Sequence, residues 1–511
     1  MRFIRNVLFH RLVLIGFALA LQLTVLIAVI IKLQDYFAFF YGGSILLSVL
    51  VVLIIISNNS NPAYKIAWII PILIFPIFGG LFYIFFGGNR LGRRTRKKMK
   101  YIEDRTKEVL VQQNEILDEI GSFNANALNQ SRYIQNFAYY PPYKNTASEY
   151  LSEGEIKFER LKQELKKAEH FIFLEYFIIE KGIMWDSVLE ILVEKAEAGV
   201  DVRVIYDDIG CLMKLPYKYY EELEKMGIKC GVFNPLIPIL SPRINNRDHR
   251  KIVVIDGHTG FTGGINLADE YINEFERYGH WKDTAIMIKG EAVWSLTVMF
   301  LSMWDYIRGI DEDFNQFKNP FSLTYEDEAN GYIQPFADNP LDDEAVGEII
   351  HLNLINKAKR YLYITTPYLI ISNEIVTALT SAAKSGVDVR IITPFYPDKW
   401  YVHSVTRSYY KNLVEAGARI YEYTPGFIHS KTFVADDEYG IVGTINMDYR
   451  SLYLHFECGV WMYKTDTVFD IKNDFLTTLE VCQEITLESM INVKMHKRLA
   501  RLVLRAFAPL M

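Results

Sequence analysis

His249-Arg250-Lys251-Ile252-Val253-Val254-Ile255-Asp256, running on to Gly263 and Asn266, is the stretch on which the fold turns. It returns as His429-Ser430-Lys431-Thr432-Phe433-Val434-Ala435-Asp436, running on to Gly443 and Asn446. Both copies read H-x-K-x4-D-x6-G-x2-N. A lone H-x-K carries no weight, but two full copies in one chain are very improbable by chance. His and Lys two apart on a strand share one face, so imidazole and ammonium reach one point. The four apolar residues that follow suit a buried strand.

Outward from the motif the chain repeats itself. Gly199-Val200-Asp201-Val202-Arg203 returns as Gly386-Val387-Asp388-Val389-Arg390, and Tyr219-Tyr220 with Gly227 returns as Tyr409-Tyr410 with Gly417. Lys167-Ala168 precedes Phe171 to Leu174 as Lys357-Ala358 precedes Tyr361 to Ile364. Offsets of 187 to 190 residues mark a duplicated domain rather than a solenoid. Within each copy, helix-period stretches alternate with short β-branched runs. That pattern predicts an α/β class with helices on both faces of the sheet. Two copies in one chain are expected to pack about a pseudo-twofold axis, as in an isologous dimer. The boundaries read as 146–325 and 326–511, after a helical linker and entry loop at 101–145.

Facing copies would bring two His, two Lys and two Asn to one point. That is a cradle for a phosphodiester. Lysines and amides neutralise the non-bridging oxygens as charge builds. One neutral imidazole attacks phosphorus, and the other, protonated, donates to the leaving oxygen. This chemistry needs no metal or other cofactor. The four cysteines, Cys211, Cys230, Cys458 and Cys482, have no zinc spacing and fit a reducing compartment.

The first hundred residues differ. They carry 12 Lys and Arg and one acid, Asp35, which leaves a balance of −17 beyond residue 100. An acidic bulk argues against nucleic acid as a partner, since phosphate binding needs a basic face. Three uncharged apolar runs, Leu12 to Ile31, Tyr36 to Ile56 and Ile66 to Phe86, each match the ~20 residues of a membrane span. Residues 1–100 are therefore expected to be an anchor of two or three transmembrane helices, with Pro71, Pro76 and Gly79-Gly80 bending the third. The basic run from Arg90 to Lys100 predicts a multi-pass protein of the cell membrane whose catalytic domains face the cytoplasm. Arg2, Arg5 and Arg11 claim the same side, and three spans would set the two clusters apart. The count stays open. Basic, partly amphipathic residues 494–511 either lie on the membrane or pack on the second domain.

The doubled motif resembles the signature of the phospholipase D superfamily. Asn246 to Lys251, Gly263-Gly264-Ile265-Asn266, Trp281-Lys282-Asp283, Thr366-Pro367-Tyr368 and Gly443 to Ser451 with Phe456-Glu457 resemble one branch of it, the bacterial cardiolipin synthases. The resemblance implies two phospholipase D-like α/β/α sandwich domains sharing one site. It implies that two phosphatidylglycerol molecules in an anionic membrane give cardiolipin and glycerol through a phosphohistidine. By the same resemblance His249 is the nucleophile and His429 the acid/base. Lys251, Lys431, Asn266 and Asn446 bind phosphate, and Asp256 and Asp436 are motif residues that support the site. Glu457, 28 residues after His429, matches the carboxylate that orients a histidine, and Asp283 would serve His249 likewise. Thr444 supplies the hydroxyl that often follows the motif glycine, whereas Gly264 does not. The branch often has Asn where His455 stands and Arg where Lys282 stands. Water or another alcohol as acceptor is left open by the motif itself. His258, His280, His351, His403 and His455 read as structural or exposed.

Overall fold

A computed structural model describes residues 11–32, 37–58, 61–76, 78–87, 93–237, 245–318, 329–341, 344–491 and 495–510. The chain divides into two compact units. One is Met1–Leu91 with Asn234–Asn246 and Ala506–Met511; the other is Gly92–Phe233 with Arg247–Arg505.

The larger unit holds two mixed sheets of matching design. In the first, the order is Thr146–Leu151, Ala285–Gly290, Thr259–Gly263, Ile252–Ile255, Phe171–Tyr176, Asp201–Asp207, Lys229–Phe233. In the second it is Tyr332–Asp338, His455–Tyr463, Tyr439–Gly443, Thr432–Ala435, Tyr361–Thr365, Asp388–Pro394, Arg419–Tyr423, with Cys482–Glu484 added at the edge. Each motif strand lies beside the switch between parallel and antiparallel pairing: Ile252–Ile255 runs antiparallel to Phe171–Tyr176, which runs parallel to Asp201–Asp207. The second copy repeats this register.

Alternation along the inner strand sorts the layers. Ile172, Leu174 and Tyr176 face a core shared with Leu161 and Leu165 of Gly154–Leu165 and with Val188 and Leu192 of Ile183–Glu197. Phe171 and Phe173 point the other way, where Phe173 stacks on Phe300 of helix Val293–Arg308 at 4.6 Å. In the second copy Tyr363 stacks on Phe475 of Thr467–Leu479 at 4.8 Å. The expected helix–sheet–helix layering is therefore present in both copies.

Two short ladders tie the copies together. Arg247–Asp248, just before the first motif histidine, pairs in parallel with His455–Phe456. Gly426–Ile428, just before the second, pairs in parallel with His280–Lys282. The exchange is reciprocal, which is the signature of a twofold relation.

The stretch 101–145 is helical, as expected, but it is packed rather than a free linker. Leu117, Ile120, Ala127 and Ile134 are buried, Ser131 Oγ donates to Gln334 Oε1 at 2.7 Å, and Asn124 Nδ2 donates to the Tyr439 hydroxyl at 3.0 Å. Its apolar residues, spaced at helical period, give it a face to bury.

In the smaller unit, helices cover Arg11–Lys32, Phe37–Ser57, Pro62–Ile74 and Gly79–Phe86. One of them, over Phe39–Ser57, is long and apolar enough to cross a membrane. The third apolar run is not a single span. It breaks at Phe75 after Pro71, and the halves fold together: Trp68 lies 5.3 Å from Tyr83, and a Cβ on Gly79 would stand 2.4 Å from the Ile72 Cα. Proline removes the backbone donor and the glycine pair lets the halves approach. Where two or three spans are expected, one helix among the described residues has the length and composition of a span, and the third run is two short helices. Arg2, Arg5 and Arg90 lie outside the described residues.

Candidate active site

The exchanged ladders place the site. The His249 N–H donates to the Phe456 carbonyl at 2.9 Å, and the His429 N–H donates to the Lys282 carbonyl at 2.7 Å. The next residue on each partner strand is a carboxylate, Glu457 or Asp283. It therefore arrives beside the histidine of the other copy. His249 Nδ1 stands 3.0 Å from the Glu457 carboxylate, and His429 Nδ1 stands 2.6 Å from Asp283 Oδ2. This corrects the pairing of Asp283 with His249: each carboxylate orients the histidine of the opposite half. With Nδ1–H held by a carboxylate, Nε2 of each ring is left as the reactive nitrogen.

All four charged partners are buried. Glu457 and Asp283 are inaccessible to water, and Lys251 and Lys431 nearly so. Lys251 and Lys431 fold back so that each ammonium donates to the backbone carbonyl of its own motif histidine. Burial pulls His249 down to about 3, with Lys251 adding to the fall and Glu457 opposing it. Burial likewise takes His429 down to about 4, helped by Lys431 and opposed by Asp283. Both rings are thus neutral near pH 7. Glu457 stays well below the usual carboxylate range: burial works to raise it, but His249 and His455 outweigh burial. Burial lowers Lys251 to about 8 and Lys431 to about 7. The Lys251 charge also acts on His429, so the two halves share one electrostatic site.

The supporting residues divide unequally. Thr444 Oγ1 donates to Glu457 Oε2 and accepts from the Cys458 N–H at 3.0 Å, which locks the carboxylate. At the equivalent Gly264 a Cβ would stand 2.0 Å from Asp283 Oδ1, so no side chain fits. Asp283 is held instead by the Thr284 N–H at 2.8 Å. Asn446 is buried and its Oδ1 has no partner, which leaves an open acceptor suited to a hydroxyl or ammonium donor. Asn266 is committed elsewhere. Its Oδ1 accepts from the Ile178 N–H at 3.0 Å and its Nδ2 donates to the Tyr271 hydroxyl at 2.7 Å. Its expected phosphate contact is corrected to bracing Tyr271, whose ring lies 5.8 Å from His429.

Asp256 and Asp436 are at the far end of the motif strands, seven residues from the histidines, or up to ~23 Å of extended chain. Both take a positive φ, 49° and 58°, in the tight turn after the strand. Asp256 accepts from the N–H groups of Glu169, His170 and Phe171 at 2.7–2.8 Å, and Asp436 accepts from those of Lys359, Arg360 and Tyr361 at 2.7–3.0 Å. Expected to support the site, they do so at a distance, by pinning the start of the neighbouring inner strand, and do not join the groups around the histidines.

Some residues of the site escaped the sequence reading. The His455 ring lies 5.6 Å from His249, and the Trp281 ring lies 5.4 Å from His429. Each stands two residues before its carboxylate, a shared spacing that was the available signal. The buried Trp281 Nε1 has no hydrogen-bond partner, and His455 Nδ1 stands 3.7 Å from the Glu457 carboxylate. Phe177 closes over His249 at 5.1 Å. Arg250, between the motif His and Lys, points to the opposite face and pairs with Glu175 at 2.6 Å and Asp248 at 3.1 Å. Among the described residues one group could hold a metal ion: His249, His455 and Glu457, with ligand atoms within 4.8 Å of one another. The Lys251 ammonium beside it works against a cation and in favour of an anion.

Comparison with known proteins agrees with this geometry. Residues 161–304 and 351–479 match the family model described as cardiolipin synthase, PLD-like domain, and residues 46–88 match a phospholipase D-nuclease N-terminal model. A cardiolipin synthase of Geobacillus kaustophilus is 37% identical over 89% of this chain and 90% of its own length. One of Halalkalibacterium halodurans is 34% identical over the same shares. An uncharacterised protein of Streptococcus mutans is 46% identical over 87% of this chain and 96% of its own. In fold, the crystal structure of phosphatidylserine synthase from Haemophilus influenzae superposes with a TM-score of 0.55 at 15% identity, over 75% of this chain and 97% of that one. By the doubled motif, the two matched domains and these relatives, the chain belongs to the cardiolipin synthase family of the phospholipase D superfamily.

Proposed function

We infer that the chain is a phosphatidyltransferase that makes cardiolipin from two molecules of phosphatidylglycerol. The observation that carries this is the reciprocal His–carboxylate pair at one buried, lysine-flanked site, in a chain related over most of its length to cardiolipin synthases.

The steps balance without an outside reagent. His249 Nε2 attacks phosphorus and the bond from phosphorus to the glycerol oxygen breaks. His429, as imidazolium, gives its proton to that oxygen, and glycerol leaves. Neutral His429 then takes the proton of the headgroup hydroxyl of a second phosphatidylglycerol. That oxygen attacks phosphorus, the N–P bond breaks, and His249 is restored. The positive charge that develops on the His249 ring is met by Glu457. Lys251, Lys431 and Asn446 meet the phosphate oxygens. An anionic phosphodiester held between the lysines raises His429 from its low value and supplies the acid form. Thr444 holds Glu457, and Asp256 and Asp436 serve the fold.

The family's substrates are membrane lipids, and Phe39–Ser57 supplies an anchor. The multi-pass, cytoplasm-facing arrangement is our reading of the charge pattern. Helices Arg11–Lys32 and Phe37–Ser57 as a pair of spans would bring Arg2, Arg5 and Arg11 to the side of the Arg90–Lys100 cluster, which the positive-inside rule favours.

Purified protein given labelled phosphatidylglycerol, with a chelator present, should release glycerol and cardiolipin together, and His249→Ala and His429→Ala should each abolish both. Phosphatidic acid as the main product would make water the acceptor and overturn the synthase reading.

A further inference from the structure

An ordinary surface helix buries its apolar stripe and shows its charges to water. Helix Met495–Ala506 does the reverse. Met495, Leu499, Leu502 and Val503 fall on one face at helical spacing, and they are 78%, 62%, 60% and 53% exposed. Arg501 and Arg505 turn inward. Arg505 lies with its guanidinium 4.4 Å from the Tyr409 ring and donates to the Ser408 carbonyl at 3.3 Å, and Arg501 is half-buried beside Arg407. The helix is thus held on Trp400–Glu415 by its polar side, with its apolar side outward. Its sequence carries four bases, Lys497, Arg498, Arg501 and Arg505, and no acid. Twelve residues make about 18 Å of helix, too short to span a bilayer but long enough to lie along one.

We propose that Met495–Ala506 is an interfacial anchor whose apolar stripe lies in the headgroup–acyl boundary of an anionic bilayer. Two further observations select that occupant. The helix carries four bases and no acid, and that net positive charge suits an anionic surface, whose attraction adds to apolar burial. The residues directly after the helix belong to the apolar unit: Leu510 packs on the cluster of Val51, Ile55, Trp68 and Ile72, and Ala508 is buried. The anchor therefore continues covalently into the part of the chain that enters the membrane. Trp400, 68% exposed at the start of the supporting helix, is an aromatic of the kind that settles at headgroup depth. The inference rests on the reading that the chain is membrane-anchored, and its test reads depth rather than turnover.

The test uses full-length protein in a Cys482→Ser background, since Cys211, Cys230 and Cys458 are buried. Nitroxide labels go at Leu499→Cys, at Leu502→Cys and, as an exposed control, at Glu488→Cys. Samples are reconstituted in mixed phosphatidylcholine–phosphatidylglycerol vesicles. Power saturation compares relaxation by oxygen with relaxation by a water-soluble nickel chelate. Labels at 499 and 502 should favour oxygen, and the label at 488 should favour nickel. Equal nickel access at all three sites would overturn the proposal. So would spin–spin broadening at 499 and 502 that grows with protein density, because the stripe would then be covered by a second copy.

Discussion

Glu457→Gln removes one negative charge from beside His249 while keeping shape and hydrogen-bonding capacity. Glu457 is fully buried, so water does not screen the loss. Breaking a buried, hydrogen-bonded charge pair costs about 3–5 kcal/mol. If that cost falls on the charged phosphoimidazole and not on the resting neutral ring, it appears in the barrier. At 1.36 kcal/mol per factor of ten, turnover drops roughly 10²–10⁴-fold. Asp283→Asn should cause a loss of similar order, but at a different step, because Asp283 serves His429. An activated substrate with a p-nitrophenolate leaving group separates the two. Such a group departs without a proton, so Asp283→Asn recovers most of its first-step rate, whereas Glu457→Gln does not. Pre-steady-state release of nitrophenol in mixed micelles gives the measurement. The reasoning fails if the two variants respond alike, or if Asp283→Asn is the one that stays slow, since the carboxylates would then not serve opposite roles across the interface.

The buried lysines make binding pH-dependent. Burial lowers Lys431 to about 7 and Lys251 to about 8, so the interfacial KM should rise as pH climbs through that window, and Lys431→Arg, charged throughout, should flatten the rise. Asp256→Ala frees three backbone N–H groups and should cost roughly 2–5 kcal/mol, seen as a lower Tm, while kcat of the folded fraction stays within a few-fold; a selective loss of kcat would return the residue to the catalytic set. Thr444→Ala should lower kcat about tenfold by loosening Glu457, and Gly264→Ser should not improve the enzyme but impair it, because its Cβ meets Asp283; steady-state rates of the two variants decide this. Acidification should destabilise the protein. His249 and His429 are held neutral far below the ordinary histidine value of about 6.5, so the unfolded chain binds more protons between pH 6.5 and about 4, and stability falls as pH drops through that window, readable as Tm against pH.

Much of the site was legible in the sequence because its logic is local. His and Lys two apart must share a strand face, and the repeat offsets place two such strands in equivalent positions. The α/β class followed from alternation, and both sheets keep one strand order. Crossed partnership was not legible. Glu457 is close in sequence to His429, yet it serves His249 because His455–Phe456 pairs with Arg247–Asp248, a tertiary choice that no local spacing encodes. The motif aspartates misled for a related reason: a recurring residue can mark a turn with positive φ and a cluster of amides as easily as it marks chemistry. Asn266 and Asn446 share a motif position and differ in use because Tyr271 and the Ile178 amide occupy only the first. The third apolar run has the composition of a span, and its proline and glycine pair marked a bend, but the fold-back of Gly79–Phe86 on Pro62–Ile74 depends on packing around Trp68.

The most direct test of the shared-site account is the identity of the covalent intermediate. Wild-type protein mixed with phosphatidylglycerol is quenched in alkali within the first turnover, digested and mapped by mass spectrometry. A phosphatidyl mass on the peptide carrying His249, absent from the peptide carrying His429 and absent altogether in Glu457→Gln at the same time point, is the predicted result. An adduct on His429, or cardiolipin formation with no adduct on either histidine, would contradict it.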